Sequence, residues 1–176
     1  MIFSFKIEQK DFLEFQLYTV SQSINVLKTR QRGRIITTLA AFLLTINLFV
    51  TGSQIAGLVM LVVAIFTYIF YPRFHRWRLK LHFTKYSKKN YGNHFGQDEV
   101  LEIHSNYIIS KNIAGEGKVL ASELDLLTEI PDYYFLKMKN GSSIILPKRD
   151  IQEGEKLKKE LKKLGVPLQQ QLNWVY

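Results

Sequence analysis

Residues 35–71 read IITTLAAFLLTINLFVTGSQIAGLVMLVVAIFTYIFY, thirty-seven positions without a formal charge. One helix of that length would reach about 55 Å, well beyond the roughly 30 Å apolar core of a bilayer. Thr51-Gly52-Ser53-Gln54 divides the stretch into two runs of similar length, Ile35–Val50 and Ile55–Tyr71. The reading is a transmembrane helical hairpin (35–51 and 55–71) that enters the bilayer and returns to the face it left. Each run supplies roughly 25 Å of helix, slightly short of the core, and a snorkelling arginine at each end makes up the difference.

The distribution of charge orients the hairpin. Residues 1–96 hold thirteen Lys/Arg against three Asp/Glu, whereas residues 97–176 hold eleven against twelve. The whole excess behind the net charge of +9 therefore brackets the apolar stretch. Lys28, Arg30, Arg32 and Arg34 precede it; Arg73, Arg76, Arg78, Lys80, Lys85, Lys88 and Lys89 follow it; the connecting loop has none. The positive-inside rule places both termini in the cytoplasm and the loop outside. Arg34, Arg73, Arg76, Trp77 and Arg78 are the expected membrane-interface residues, and anionic lipid headgroups their expected partners. A nucleic-acid role would place the basic excess on the soluble part instead, so no nucleic-acid partner is expected.

Small residues suggest how the hairpin closes. Thr38, Ala41 and Thr45 share one helical face, and Gly57 and Ala64 share a face of the second helix. In lipid no hydrophobic force draws helices together, so close backbone approach at small residues is the expected contact. Asn47 is costly against acyl chains and is expected to bond across the hairpin or to another copy. A third possibility is that it lines a pore.

Outside the hairpin the organisation reads as follows. Residues 1–34 form a cytoplasmic strand (2–7) and an amphipathic helix beginning near Asp11, with the stripe Phe12, Phe15, Leu17, Tyr18, Val20, Ile24 and Leu27 packing on the soluble domain in preference to lying on the inner leaflet. Residues 72–96 form a basic helical stalk ending at Asn90-Tyr91-Gly92-Asn93. Strands are expected at 99–104, 107–111, 118–121, 124–130, 133–139 and 142–146, with a turn at 114–117. Asn140-Gly141 is expected as a type I′ hairpin turn. A helix over 152–164, capped by Asp150, buries Leu157, Leu161 and Leu164 and stops at Gly165 and Pro167. The domain spans 97–166, and the tail 167–176 has no evident pattern.

These elements give an α+β membrane protein: a transmembrane hairpin plus a small antiparallel β domain closed by a C-terminal helix. Two spans return the chain to its starting face, so strand 2–7 is expected to complete the sheet or cover an edge. Glu-Ile-Pro-Asp-Tyr-Tyr-Phe-Leu (129–136), Asn-Gly-Ser-Ser-Ile-Ile-Leu-Pro-Lys-Arg (140–149) and Lys-Asp-Phe-Leu-Glu-Phe (10–15) ahead of two apolar spans resemble the bacterial YcxB-like family. That resemblance implies an inner-membrane protein with a cytoplasmic pleckstrin-homology-like domain, and it supplies no catalytic residues.

No catalytic constellation is legible. The chain has no cysteine, so disulfides and thiolate chemistry are excluded. Met1 to Arg34 contains Glu8, Asp11 and Glu14 and no early apolar run, unlike a secretory signal. His75, His82, His94 and His104 lack close helical ligand spacing, so no metal and no cofactor is expected. His104 beside Ser105 points to opposite strand faces. Gly115 and Gly117 read as a turn, and Lys148 and Arg149 as a pair that meets headgroups or solvent. The expected function is non-enzymatic recognition of a protein, peptide or lipid headgroup at the membrane. The competing class is a subunit of a small oligomeric pore or transporter, its hairpins assembled around Asn47 and the threonines of the spans; a homo-oligomer is then the partner.

Overall fold

The computed structural model describes residues 1–92 and 95–175. Asn93 and His94, and with them the end of the expected stalk turn, lie outside the described residues. The chain forms two compact units, one of residues 1–16 with 84–176 and one of residues 17–83.

The first unit is a β domain assembled from both ends of the chain. Strand β1 (Ile2–Lys6) pairs antiparallel with β2 (Asp98–Ile103), Ile2 opposite Glu102 and Lys6 opposite Asp98. The Met1 ammonium donates to the Ile103 carbonyl at 2.8 Å, which anchors the chain end on the partner strand. Strands β3 (Tyr107–Asn112) and β4 (Gly115–Leu120) extend this sheet in the order β1-β2-β3-β4. A second sheet has the order β7-β6-β5-β8, with β5 at Leu124–Glu129, β6 at Tyr133–Met138, β7 at Ser143–Pro147 and β8 at Leu168–Gln170. Helix α4 (Gly154–Lys163), which keeps that number because three helices precede it in the chain, completes the unit.

Side-chain alternation explains the core. In β1, Phe3 and Phe5 point inward while Ile2, Ser4 and Lys6 face out, the period of two that a strand imposes. They join Leu101, Ile103, Ile108, Leu127, Leu136 and Leu146 from both sheets. Leu157 and Leu161 of α4 are fully buried and Leu164 packs partly against them, the stripe expected from their spacing. The N-terminal strand therefore does complete the sheet. The α+β fold, with antiparallel strands and a C-terminal helix, is the one the sequence led to.

Four local expectations change. Gly115 and Gly117 lie inside β4, and Ile113-Ala114 makes the two-residue turn, because β4 starts directly opposite Asn112. The Asn140-Gly141 turn is not type I′. Only Gly141 has positive φ, and the Met138 carbonyl accepts from the Gly141 amide at 3.0 Å. That is a three-residue loop with glycine at the left-handed position, in which the Asn140 side chain accepts the Ser142 amide at 2.9 Å. Asp150 does not cap α4. Its carboxylate accepts the Lys6 amide at 3.1 Å, and Glu153 precedes the helix without a side-chain cap. Finally, the apolar stripe of the N-terminal helix is cut. Helix α1 (Gln9–Gln22) stops, Ser23 caps helix α2 (Ile24–Val50), and Ile24 and Leu27 are exposed. Phe12 against Tyr91 and Phe15 edge-on to Phe135 carry the packing within the β domain.

The second unit contains α2 and most of α3 (Gln54–Tyr91), joined through Thr51–Ser53. Both helices are long and apolar enough to cross a membrane, and only 11% of each apolar window is buried. So little cover is unlike the core helix of a soluble protein, which is mostly buried. Burial in the hairpin falls on Ala41, Thr45, Gly57 and Ala64, with Thr38 half-buried. A side chain at Gly57 would meet the Phe49 ring at 3.1 Å. Thr45 Oγ donates to the Ala41 carbonyl at 2.9 Å, so its hydroxyl is satisfied within its own helix.

Pro72 lies inside α3 and leaves the Tyr68 carbonyl without its helical amide donor. Arg34 of α2 donates from Nε to that carbonyl at 3.0 Å, and its guanidinium lies 3.6 Å from the Tyr68 ring centre. One side chain thus compensates the proline and ties the two helices together. Arg34→Met should weaken the hairpin by about 1–2 kcal/mol, in the range of interhelical polar contacts in membranes. The check is an SDS titration in micelles read by Trp77 fluorescence in a Trp174→Phe background, where the midpoint should fall.

Candidate functional site

Helix α4 builds one wall of a basic groove. Its C-terminus closes with paired bonds, the Gly165 amide to Lys162 at 3.0 Å and the Val166 amide to Leu161 at 3.1 Å. Gly165 takes φ +81°, the left-handed geometry this motif requires. Val166 then turns into the core, and the chain continues past Pro167 as β8. A groove of about 570 Å³ results, lined on the helix side by Glu155, Lys158, Lys159 and Lys162 and on the strand side by Leu168 and Gln170. Lys159 and Lys162 are exposed, and among the described residues no carboxylate lies within ion-pair range of either.

Beneath the groove sits Glu129, 5% exposed at the end of β5. It accepts from Gln170 at 2.7 Å, Lys148 at 2.8 Å and Lys158 at 3.4 Å. Burial would raise its pKa, but the Gln170 and Lys148 hydrogen bonds and the two lysine charges outweigh burial and bring it down to about 2. A lowered carboxylate pKa stabilises the fold fully above its ordinary value near 4.5, and this is lost as pH falls toward 2. The melting temperature should decline across that window, and Glu129→Gln should flatten that part of the profile.

Lys148 and Arg149, expected to meet headgroups or solvent, are partly solvated but each is engaged by a carboxylate. Lys148 is committed to Glu129 and lies 4.8 Å from the Tyr134 ring centre. Arg149 grips Asp11 with both terminal nitrogens, at 2.7 and 2.6 Å, and donates to the Lys6 carbonyl at 3.0 Å. Asp11 is fully buried and also accepts from the Tyr133 hydroxyl at 2.9 Å and the Glu8 amide at 2.7 Å. Burial pushes the Asp11 carboxyl up, but hydrogen bonds from Arg149, Glu8 and Tyr133 hold it below its ordinary value. Burial and the bond to Asp11 push the Tyr133 hydroxyl up. This cluster fastens the N-terminal segment to the β domain. Its members lie up to 143 positions apart, so sequence reading reached only the capping half of Asp11's role.

The remaining singled-out residues lie as follows. Arg73, Arg76, Trp77 and Arg78 are exposed on α3, and Arg34 is half-buried against Tyr68. Asn47 is exposed on α2, and among the described residues its side chain makes no bond across the hairpin. His104 is exposed and stacks on Tyr107, ring centres 4.5 Å apart, with Nε2 at 3.3 Å from Glu102. Sequence reading missed the groove because β8 carries no strand pattern. The one available signal was Lys158-Lys159 and Lys162-Lys163 beside a tail without acids.

No curated protein and no solved structure matches the chain. Residues 103–163, from the end of β2 through α4, match the family model described as YcxB-like protein, so the segment that forms most of this β domain is YcxB-like.

Proposed function

We propose that the protein is an integral membrane recognition module: a two-helix anchor whose β domain, on the cytoplasmic face with both termini, binds an acidic partner at the α4–β8 groove. The observation that carries this reading is the pairing of β1 with β2. Residues 6 and 98 are neighbours in one ladder, so the intervening apolar hairpin leaves and rejoins a single folded domain. A chain so closed enters the bilayer and returns to the same side. The basic residues flanking both spans favour the cytoplasm as that side. The domain supplies binding surface, and among the described residues no cluster of nucleophile, base and acid supports an enzymatic reading.

Cysteine scanning tests the topology on a chain that has no cysteine of its own. Ser53→Cys should react with a membrane-impermeant maleimide on intact cells. Ser142→Cys should react only after lysis, and the protein should resist carbonate extraction. Labelling of Ser142→Cys from outside would overturn the orientation, and release by carbonate would overturn the anchor.

The exposure of Asn47 favours a second reading, in which hairpins of several copies associate through this amide. Liposome conductance that disappears in Asn47→Leu would support it, and absence of conductance would remove it.

A further inference from the structure

Strand β4 ends the first sheet with an open edge. Its ladder with β3 decides which backbone groups are used. The Ala121 amide donates to the Asn106 carbonyl at 3.0 Å, and alternation from that pair gives Val119, Gly117 and Gly115 the bonds to β3. The amides and carbonyls of Glu116, Lys118 and Leu120 therefore point away from the sheet, and among the described residues none of them has a hydrogen-bond partner. Every residue of β4 except Val119 is exposed. Glu116 and Lys118 stand two positions apart and project from one face. Lys118 lies 3.9 Å from the Tyr107 ring centre, and Glu116 reaches Lys111 only at 3.6 Å, because Lys111 is drawn to Glu102 at 2.7 Å. Between the two charges Gly117 has no side chain, and a Cβ there would meet only the Ser110 carbonyl, at 4.0 Å.

We propose that two copies of the chain pair antiparallel along β4, with Gly117 facing Gly117 on the two-fold axis and Glu116 of each copy opposite Lys118 of the other. The edge is self-complementary in this register alone. Glu116 and Lys118 both have outward backbone groups, so each such pair exchanges two ladder bonds and sets its opposite charges side by side on one face. A shift of one residue places outward groups opposite groups already bonded to β3. A shift of two residues, in either direction, puts Glu116 opposite Glu116 or Lys118 opposite Lys118. Leu120, 51% exposed, falls at the Ile113-Ala114 turn of the other copy and adds an apolar contact at each end. The pairing also closes an edge that would otherwise template less specific association. Two copies anchored in one membrane share a high effective concentration, which suits so short an interface. The pairing is independent of what the α4–β8 groove binds.

The test uses the full chain in membranes, oxidised with copper phenanthroline, and reads disulfide-linked dimer on a non-reducing gel. The chain has no cysteine of its own, so each variant carries a single thiol per copy. Facing residues on the axis form a non-hydrogen-bonded pair with Cα atoms roughly 4.5 Å apart, within disulfide reach. Gly117→Cys should therefore crosslink efficiently to itself. Leu120→Cys, equally exposed but three positions off the axis, should give at least fivefold less dimer. Adding Glu116→Lys or Lys118→Glu to Gly117→Cys should lower the yield about fivefold or more, since both pairs become like-charged. Adding both together should restore it to within about twofold, because opposite charges face each other again. Within one chain the double exchange still sets a lysine beside Lys111, so recovery reports pairing between copies and not repair of the fold. Equal yields at positions 117 and 120, which random collision would give, would overturn the inference. So would failure of the double exchange to recover, absence of any Gly117→Cys dimer, or crosslinking of Gly117→Cys only to a different polypeptide.

Discussion

A chain lacking Met1–Ile7 is expected to lose the folded β domain, although the deletion lies more than ninety residues from the next strand of the same sheet. The magnitude follows from what β1 contributes. Phe3 is 7% and Phe5 2% exposed, and both sit in the shared core of the two sheets. Removing one buried phenylalanine side chain costs about 3–5 kcal/mol, and a domain of this size commands roughly 5–15 kcal/mol in total. The deletion also strips the ladder from five positions of β2 and frees the Ile103 carbonyl and amide that Met1 satisfies. An unpaired β2 edge is then open to aggregation. The truncated chain should lose near-ultraviolet circular dichroism and become sensitive to limited proteolysis within residues 98–163. Phe5→Ala is the graded version and should lower stability by about 3–5 kcal/mol. A truncated chain that keeps its proteolytic protection would mean that the domain does not depend on closure across the hairpin.

The same strand illustrates what was legible in the sequence. Loose alternation over 2–7 marked a strand, and counting spans placed it on the domain's side of the membrane, so its pairing was foreseeable in kind. Its register was not, because nothing local to Ile2–Lys6 names Asp98–Ile103 as its partner. The apolar hairpin and the Leu157/Leu161 stripe were legible for a simpler reason: burial there follows a period that the residues print directly. The sequence locates the turn at Asn140-Gly141 but not its type. An Asn-Gly pair is compatible with two loop lengths, and the choice fell to the Met138–Ser142 pairing and the Asn140 side chain. Strand β8 was illegible because Leu168-Gln169-Gln170 shows no alternation and its parallel pairing is set by where α4 ends. The groove, formed between α4 and β8, was hidden with it.

Asp11→Ala is expected to be the most costly single substitution of a polar side chain in the β domain. The carboxylate is 0% exposed and gathers four donors, two from Arg149, one from Tyr133 and one from the Glu8 amide. Removing it frees the Tyr133 hydroxyl and the Glu8 amide and leaves the partly solvated Arg149 with only the longer contacts to Glu8 at 3.6 Å and Asp150 at 3.8 Å and the Lys6 carbonyl. Because Arg149 stays partly solvated and keeps other carboxylates, the cost is expected at about 1.5–3 kcal/mol, most of it the lost charge-assisted hydrogen bonds. Substitutions at the two partners should be non-additive. Arg149→Met should cost a similar amount, whereas the double substitution should cost well under the sum, since the buried carboxylate is then no longer left without its cation. Tyr133→Phe removes one neutral donor and should cost only about 1 kcal/mol. The pH profile separates electrostatics from packing. The Asp11 carboxyl is held below its ordinary value near 3.8, so its contribution is present above that pH and fades as pH falls through the lowered value. Wild type should therefore approach Asp11→Ala in stability as the solution is acidified. Parallel profiles, with a constant gap between the two proteins at every pH, would mean that Asp11 acts through shape alone and that the Arg149 grip contributes nothing.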